Sequence, residues 1–128
     1  MKQIQNDIEI AKQTLLHTDT GRYFNEGQSL ELIGSNRIMK QATGYILVWQ
    51  YYGSNTVYTE NINYTFIPKY VISLNGGKIT LPLAMDSGTH GSKTLYVTDN
   101  GTKTTIKGHS KNGTSPNSQW VLKYIIGY

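Results

Sequence analysis

Lys93-Thr94-Leu95-Tyr96-Val97-Thr98, then Asp99-Asn100-Gly101, then Thr102-Lys103-Thr104-Thr105-Ile106-Lys107: this stretch decides the fold. Two runs rich in β-branched and aromatic residues flank an Asn-Gly pair, whose residues accept the positive φ that a tight strand reversal demands. The stretch reads as a β-hairpin. Working outward, Gln119–Tyr128 reads as a long closing strand with Trp120, Leu122, Tyr124 and Ile126 on one face. Upstream, Lys78–Ala84 reads as a strand bent at Pro82, and Asn75-Gly76-Gly77 before it as a turn.

Gly44–Tyr52 is apolar on successive residues through Tyr45-Ile46-Leu47-Val48-Trp49, the mark of a strand covered on both faces. Val57–Ser73 is a long strand that must break or reach an edge at Pro68, because proline cannot donate to a sheet ladder. Ser29–Ile33 and Arg37–Lys40, separated by Gly34-Ser35-Asn36, suit a further hairpin. About eight short strands with turn signals roughly every 8–12 residues predict an antiparallel sandwich or barrel. The expected fold is an all-β antiparallel β-sandwich, jelly-roll-like, with a short N-terminal α-helix.

That helix is read over residues 1–16, where Ile4, Ile8, Ala11 and Leu15 recur at the a/d spacing of a heptad. Fewer than two heptads do not hold a coiled coil alone. The segment is therefore either the stub of an oligomeric stalk or an amphipathic helix packed on its own domain. Residues 17–28, polar and with Gly21 and Gly27, read as a linker, and residues 29–128 as the β head.

Bulk composition narrows the function classes. A chain of 128 residues forms one domain with one core. It has no run near the ~18 apolar residues of a membrane helix, and its polar start is not a signal peptide. With no cysteine, disulfide frameworks and thiolate chemistry are excluded. A net charge of +4 and a pI near 9.2 suit either phosphate-rich partners or ordinary solubilisation by scattered lysines.

Ten tyrosines against two Phe and two Trp are the compositional outlier, and tyrosine serves both strand packing and recognition surfaces. The best candidate surface is the aromatic stretch from Trp49 through Tyr51 and Tyr52 to Tyr58 and Tyr64, with Lys69 as a nearby hydrogen-bonding partner. Trp49 and Tyr64 suit the core as well as a surface. His109 and Asn112 follow the hairpin: either the histidine anchors its own turn, or it contacts a ligand, or it holds an ion with symmetry-related copies. His17, His90 and His109 share no metal-ligand spacing, so neither a metal nor a cofactor is expected. Asp86 and Asp99 are turn residues before they are a hydrolytic pair, and no nucleophile or phosphate-cradling motif occurs. The chain is not expected to be an enzyme.

The order of blocks carries more than any single motif. Ile46 to Gly53, Tyr64 to Lys69, Tyr96 to Asp99, Ile106 to His109 and Val121 to Ile125 together resemble a small β domain at the C-terminus of tail and baseplate appendage proteins, of fibre or receptor-binding type, from phages and prophages of Gram-positive bacteria. The resemblance covers roughly residues 30–128. It departs at Lys123, where the family often has Arg, and at a longer Thr102–Thr105 segment.

The resemblance implies a non-catalytic virion component at the phage tail tip, assembled in the bacterial cytoplasm and trimeric. Its partners would be other tail and baseplate proteins and a host cell-surface polysaccharide; nucleic acid and membrane are not among them. Tyr51, Tyr52, Tyr58, Tyr64, Lys69, His109 and Asn112 are the candidate saccharide-binding residues, and Ile4, Ile8, Ala11 and Leu15 the candidate oligomerisation residues. A purely structural fibre-tip component and an OB-type single-stranded nucleic-acid binder are the competing readings.

Overall fold

In the computed structural model the described residues are 13–53, 56–73, 77–84, 88 and 90–128, with the side chains of 56, 58–60 and 73 outside the description. Period-2 alternation organises nearly all of them. Eight strands form: β1 (Thr14–Thr18), β2 (Ser29–Ile33), β3 (Gly44–Gly53), β4 (Thr56–Pro68), β5 (Lys78–Ala84), β6 (His90–Asp99), β7 (Lys103–Lys107) and β8 (Trp120–Gly127). They make two four-stranded antiparallel sheets, ordered β1-β8-β3-β4 and β2-β7-β6-β5. Tyr45, Leu47, Trp49, Ile67, Leu122 and Ile125 from the first sheet meet Leu32, Leu81, Leu83, Leu95, Val97 and Ile106 from the second in one buried cluster. Two inner faces closing on a shared core make a sandwich.

In a jelly roll the chain folds over as one long nested hairpin: first strand beside last, second beside next to last, and so on inward. Here the nesting holds for two pairs only, β1 with β8 and β2 with β7. The inner four strands instead form two local hairpins, β3–β4 and β5–β6. Local pairing of β3 with β4 is continuous from Gly44↔Pro68 to Gln50↔Ile62, and Pro68 ends the edge strand as its missing N–H requires. Pro82 likewise lies in an edge strand, β5. The eight strands do not form the five-stranded barrel of an OB-fold.

Four sequence expectations are corrected. Residues 14–16 of the expected helix belong to β1, which pairs with β8 (Leu15↔Ile126), while Ile4, Ile8 and Ala11 lie outside the described residues. Pairing with a strand edge has overridden the helical spacing there. The expected linker, residues 17–28, carries Phe24 into the core, where its ring meets Trp49 edge-on at 6.3 Å. Asp19 organises this crossing. It accepts from the backbone N–H of Gly21 and Arg22, from the Arg22 guanidinium at 2.7 Å and from His17 at 2.9 Å. Burial alone would raise the Asp19 pKa; the Arg22 and His17 contacts outweigh it and lower it.

Ile38–Lys40 is a 3₁₀ turn rather than a strand, because Ile38 drops into the core and its N–H is taken by the Thr104 hydroxyl at 2.9 Å. β8 also carries a bulge at Lys123, so Trp120, Leu122 and Ile125 face the core while Tyr124 and Ile126 turn outward.

Candidate functional site

A polar hollow lies on the outer face of the β2-β7-β6-β5 sheet. Register sets Tyr96 opposite Lys107 and Thr98 opposite Thr105, all pointing away from the core face that Leu95, Val97 and Ile106 occupy. Gly108 then crosses residues 24–28 at backbone contact: a Cβ there would meet the Phe24 and Asn25 carbonyl oxygens at 2.1–2.2 Å. Its N–H donates to the Gln28 carbonyl, and the His109 N–H to the Phe24 carbonyl. This close crossing aims the His109 ring back over β6, where it stacks on Tyr96 with centroids 5.9 Å apart and planes 29° apart.

His109 Nδ1 accepts from the Lys111 N–H at 3.0 Å, so in the neutral ring the proton sits on Nε2, leaving a donor there. Glu26, Thr98, Thr105, Lys107 and Ser110 complete the wall of a hollow of about 390 Å³. An aromatic platform, three hydroxyls, one acid and one base meet in one place. The arrangement can stack a flat apolar ring face and hydrogen-bond its rim. Among the described residues no group of three or more His, Asp and Glu side chains could hold a metal.

The expected site residues are not brought together. His109 alone lies in this hollow. Asn112, expected as a ligand contact, is fully buried and already satisfied. Its amide donates to the carbonyls of Thr94 (2.7 Å) and Phe24 (2.8 Å), and its oxygen accepts from the Thr94 N–H (2.8 Å). The reason is architectural. β7 stops pairing with β6 at Lys107↔Tyr96, so the β6 backbone beyond it needs another partner. Asn112 takes the place of the missing strand at Thr94, and Asn117 Oδ1 does so for the Ser92 N–H at 2.8 Å.

Tyr51 packs against the core, edge-on to Trp120 at 5.6 Å. Tyr52 lines a separate recess with Tyr23, Gly21, Ser118 and Val121. The Tyr58 side chain lies outside the described residues. Tyr64 is exposed on the outer face of the other sheet, beside Phe66. Lys69 lies at the far end of β4, donating to the Gln41 carbonyl at 3.1 Å with its ammonium over the Tyr70 ring. Trp49 is wholly buried, its Nε1 donating to the Thr65 hydroxyl at 3.0 Å.

Tyr96 is the residue sequence reasoning missed. The signal was present in the alternation of Leu95, Tyr96, Val97 and Thr98, which puts Tyr96 on the face opposite two aliphatic residues. Comparison with protein-family models, curated proteins and solved structures returned no match for the chain.

Proposed function

We propose that this chain is a non-catalytic appendage domain of a phage or prophage tail or baseplate, and that the Tyr96–His109 hollow contacts host cell-wall saccharide. The observation that carries the reading is the stacked pair ringed by Thr98, Thr105, Ser110, Lys107 and Glu26. A pyranose ring has one apolar face and a rim of hydroxyls, and this hollow offers a platform for the first and mixed donors and acceptors for the second. The block order from Ile46 to Ile125 supports the appendage assignment by its resemblance to that family. On that reading the protein resides in the virion tail tip, beside other tail proteins and as a trimer. Single-saccharide contacts are weak, so repeated copies on one tail supply useful attachment through effective concentration.

Binding to purified cell walls from a panel of Gram-positive species tests the reading. Strain-selective binding is expected, abolished when wall polysaccharide is stripped. Tyr96→Ala and His109→Ala each weaken it by about tenfold, equivalent to ~1.4 kcal/mol. Tyr52→Ala, in a different recess, leaves it unchanged. Undiminished binding by folded Tyr96→Ala and His109→Ala would remove the hollow from the mechanism. Absence of binding to every wall would favour a purely structural role.

A further inference from the structure

Register puts a lysine on each side of the Tyr96 platform. Tyr96 on β6 stands opposite Lys107 on β7 and Lys78 on β5, so the row across the sheet reads Ser29, Lys107, Tyr96, Lys78. All four lie on the outer face, because alternation turns their neighbours Leu30, Ile106, Leu95 and Ile79 towards the core. The rows beyond it are balanced in charge. Glu31, Thr105 and Thr98 form the next and Ile33 with Lys103 the one after, and Glu31 accepts from Lys103 at 2.9 Å. Lys78 and Lys107 are exposed, and no carboxylate among the described residues pairs with either. Adjacent strands are about 4.8 Å apart, so the two lysine backbones stand roughly 10 Å apart with the tyrosine between them. Glu26 is the one acid in the wall of the hollow.

We propose that the saccharide taken by this hollow is anionic, with an acidic group on each side of the sugar that meets Tyr96. The inference rests on the reading of the hollow as a saccharide contact and adds the charge of the ligand to it. Two kinds of polymer share the chemistry: chains joined through phosphodiesters, and chains of sugars carrying carboxylates. A lysine ammonium suits both, because it is a point charge with three rotatable donors rather than a planar fork. Two unpaired cations flanking one platform repel each other. An anionic chain laid across the strands relieves that repulsion as it gains the platform. The net charge of +4 acts in the same direction at longer range. Glu26 opposes an anion while accepting from sugar hydroxyls, and this fixes the sign of one test.

Single-stranded nucleic acid also combines rings with phosphates, but its sites stack successive bases on several aromatic side chains along a basic groove. Here a single platform stands between two lysines, with the hydroxyls of Thr98, Thr105 and Ser110 at its rim. That pattern fits one sugar with charged neighbours better than a run of bases.

Binding of the full chain to isolated Gram-positive walls is measured before and after two treatments. Hydrofluoric acid cleaves phosphodiester-linked polymers, and carbodiimide amidation neutralises carboxylates. Loss after the first identifies phosphate and loss after the second carboxylate; either supports the proposal. In low salt, Lys78→Gln and Lys107→Gln should each weaken binding by about two- to fivefold, the range of a solvent-exposed charge contact. The factor should shrink as salt rises. Lys123→Gln, the same charge change on the opposite sheet, should alter binding little. Glu26→Gln should strengthen it, a gain that no loss of structure produces. Walls bound through Tyr96 but indifferent to both treatments, to both lysines and to salt would make the ligand neutral. That outcome overturns the proposal and leaves the saccharide reading standing. Binding that survives Tyr96→Ala and His109→Ala overturns that reading and the proposal with it. So does a preference for oligothymidylate over every wall, or no binding to any wall.

Discussion

A lysine buried among aromatic rings is the residue with most to say about pH. Lys93 stands on β6 with its side chain turned into the sandwich and wholly shielded. Its Nζ donates to the carbonyls of Asn117 (2.6 Å) and Tyr23 (2.9 Å), and lies 5.5 and 5.9 Å from the Trp49 and Tyr23 ring centroids. Burial pushes its pKa down from 10.5 to about 7, while the two carbonyls and the ring faces oppose the shift. An unfolded chain therefore binds more protons than the folded one between about pH 7 and 10.5, so stability rises with pH across that window. The penalty of burying the cation is fully present below about 7 and relieved above it. Between pH 7 and 9 the expected gain is about 1–2 kcal/mol by urea denaturation. Lys93→Met should flatten that slope; parallel profiles for the two proteins would show that the amine stays charged throughout. Nothing in the sequence around Lys93 announced this burial. Its neighbours Thr94 and Ser92 are polar, and the ammonium is enclosed by residues distant in sequence: Tyr23 in the 17–28 crossing, Trp49 on β3 and Asn117 before β8.

At the level of elements, the β6–β7 hairpin was readable and its fastening was not. The Asn-Gly pair turns the chain as expected, with Asn100 Oδ1 accepting from the N–H of Thr102 and Lys103, and Gly101 at φ +94°. The fastening comes from Arg37, sixty-two residues away, whose guanidinium grips both Asp99 oxygens at 2.6 and 3.1 Å. That grip holds the Asp99 carboxyl at about 2, against the pull of burial, with the Gly101 N–H and the Thr104 hydroxyl adding to it. A folded pKa below the unfolded value of 3.8 means the contribution is complete above about pH 4 and disappears as pH falls through about 2. Solvent at the hairpin screens the pair, so Asp99→Asn should cost about 1 kcal/mol at neutral pH rather than the full value of the shift. The difference in urea midpoint between wild type and variant should shrink from pH 5 to pH 2, and a constant difference would assign Asp99 a turn-capping role only. β8 makes the same point about legibility. Its apolar residues marked a strand, but the bulge at Lys123 moved Tyr124 and Ile126 to the outer face, because a one-residue slip exchanges the faces. Such a bulge leaves no compositional trace.

Across the whole molecule, the wrap of the chain sets the order in which its contacts can close. β3–β4, β5–β6 and β6–β7 join sequence neighbours, whereas β1–β8 brings Leu15 beside Ile126 and β2–β7 brings Leu30 beside Ile106. Loop-closure entropy must be met before the distant pairs return any stabilisation, so the two nested pairs close after the local hairpins. The sequence showed the strands and the all-β class because each strand is a local pattern. It did not show which distant edge each strand would meet, and β1 was misread for that reason: its partner lies at the other end of the chain. Refolding should therefore be slow for a chain of this size, in the millisecond-to-second range typical of β-sandwiches. Trp49 and Trp120, both fully buried, report the collapse by fluorescence. Leu32→Ala, in β2, should mainly speed unfolding, while Val97→Ala, in the part of β6 that pairs locally with β7, should slow refolding. Refolding within microseconds, or a larger slowing from Leu32→Ala than from Val97→Ala, would mean that the wrapped pairs form first and that the hairpins are not the nucleus.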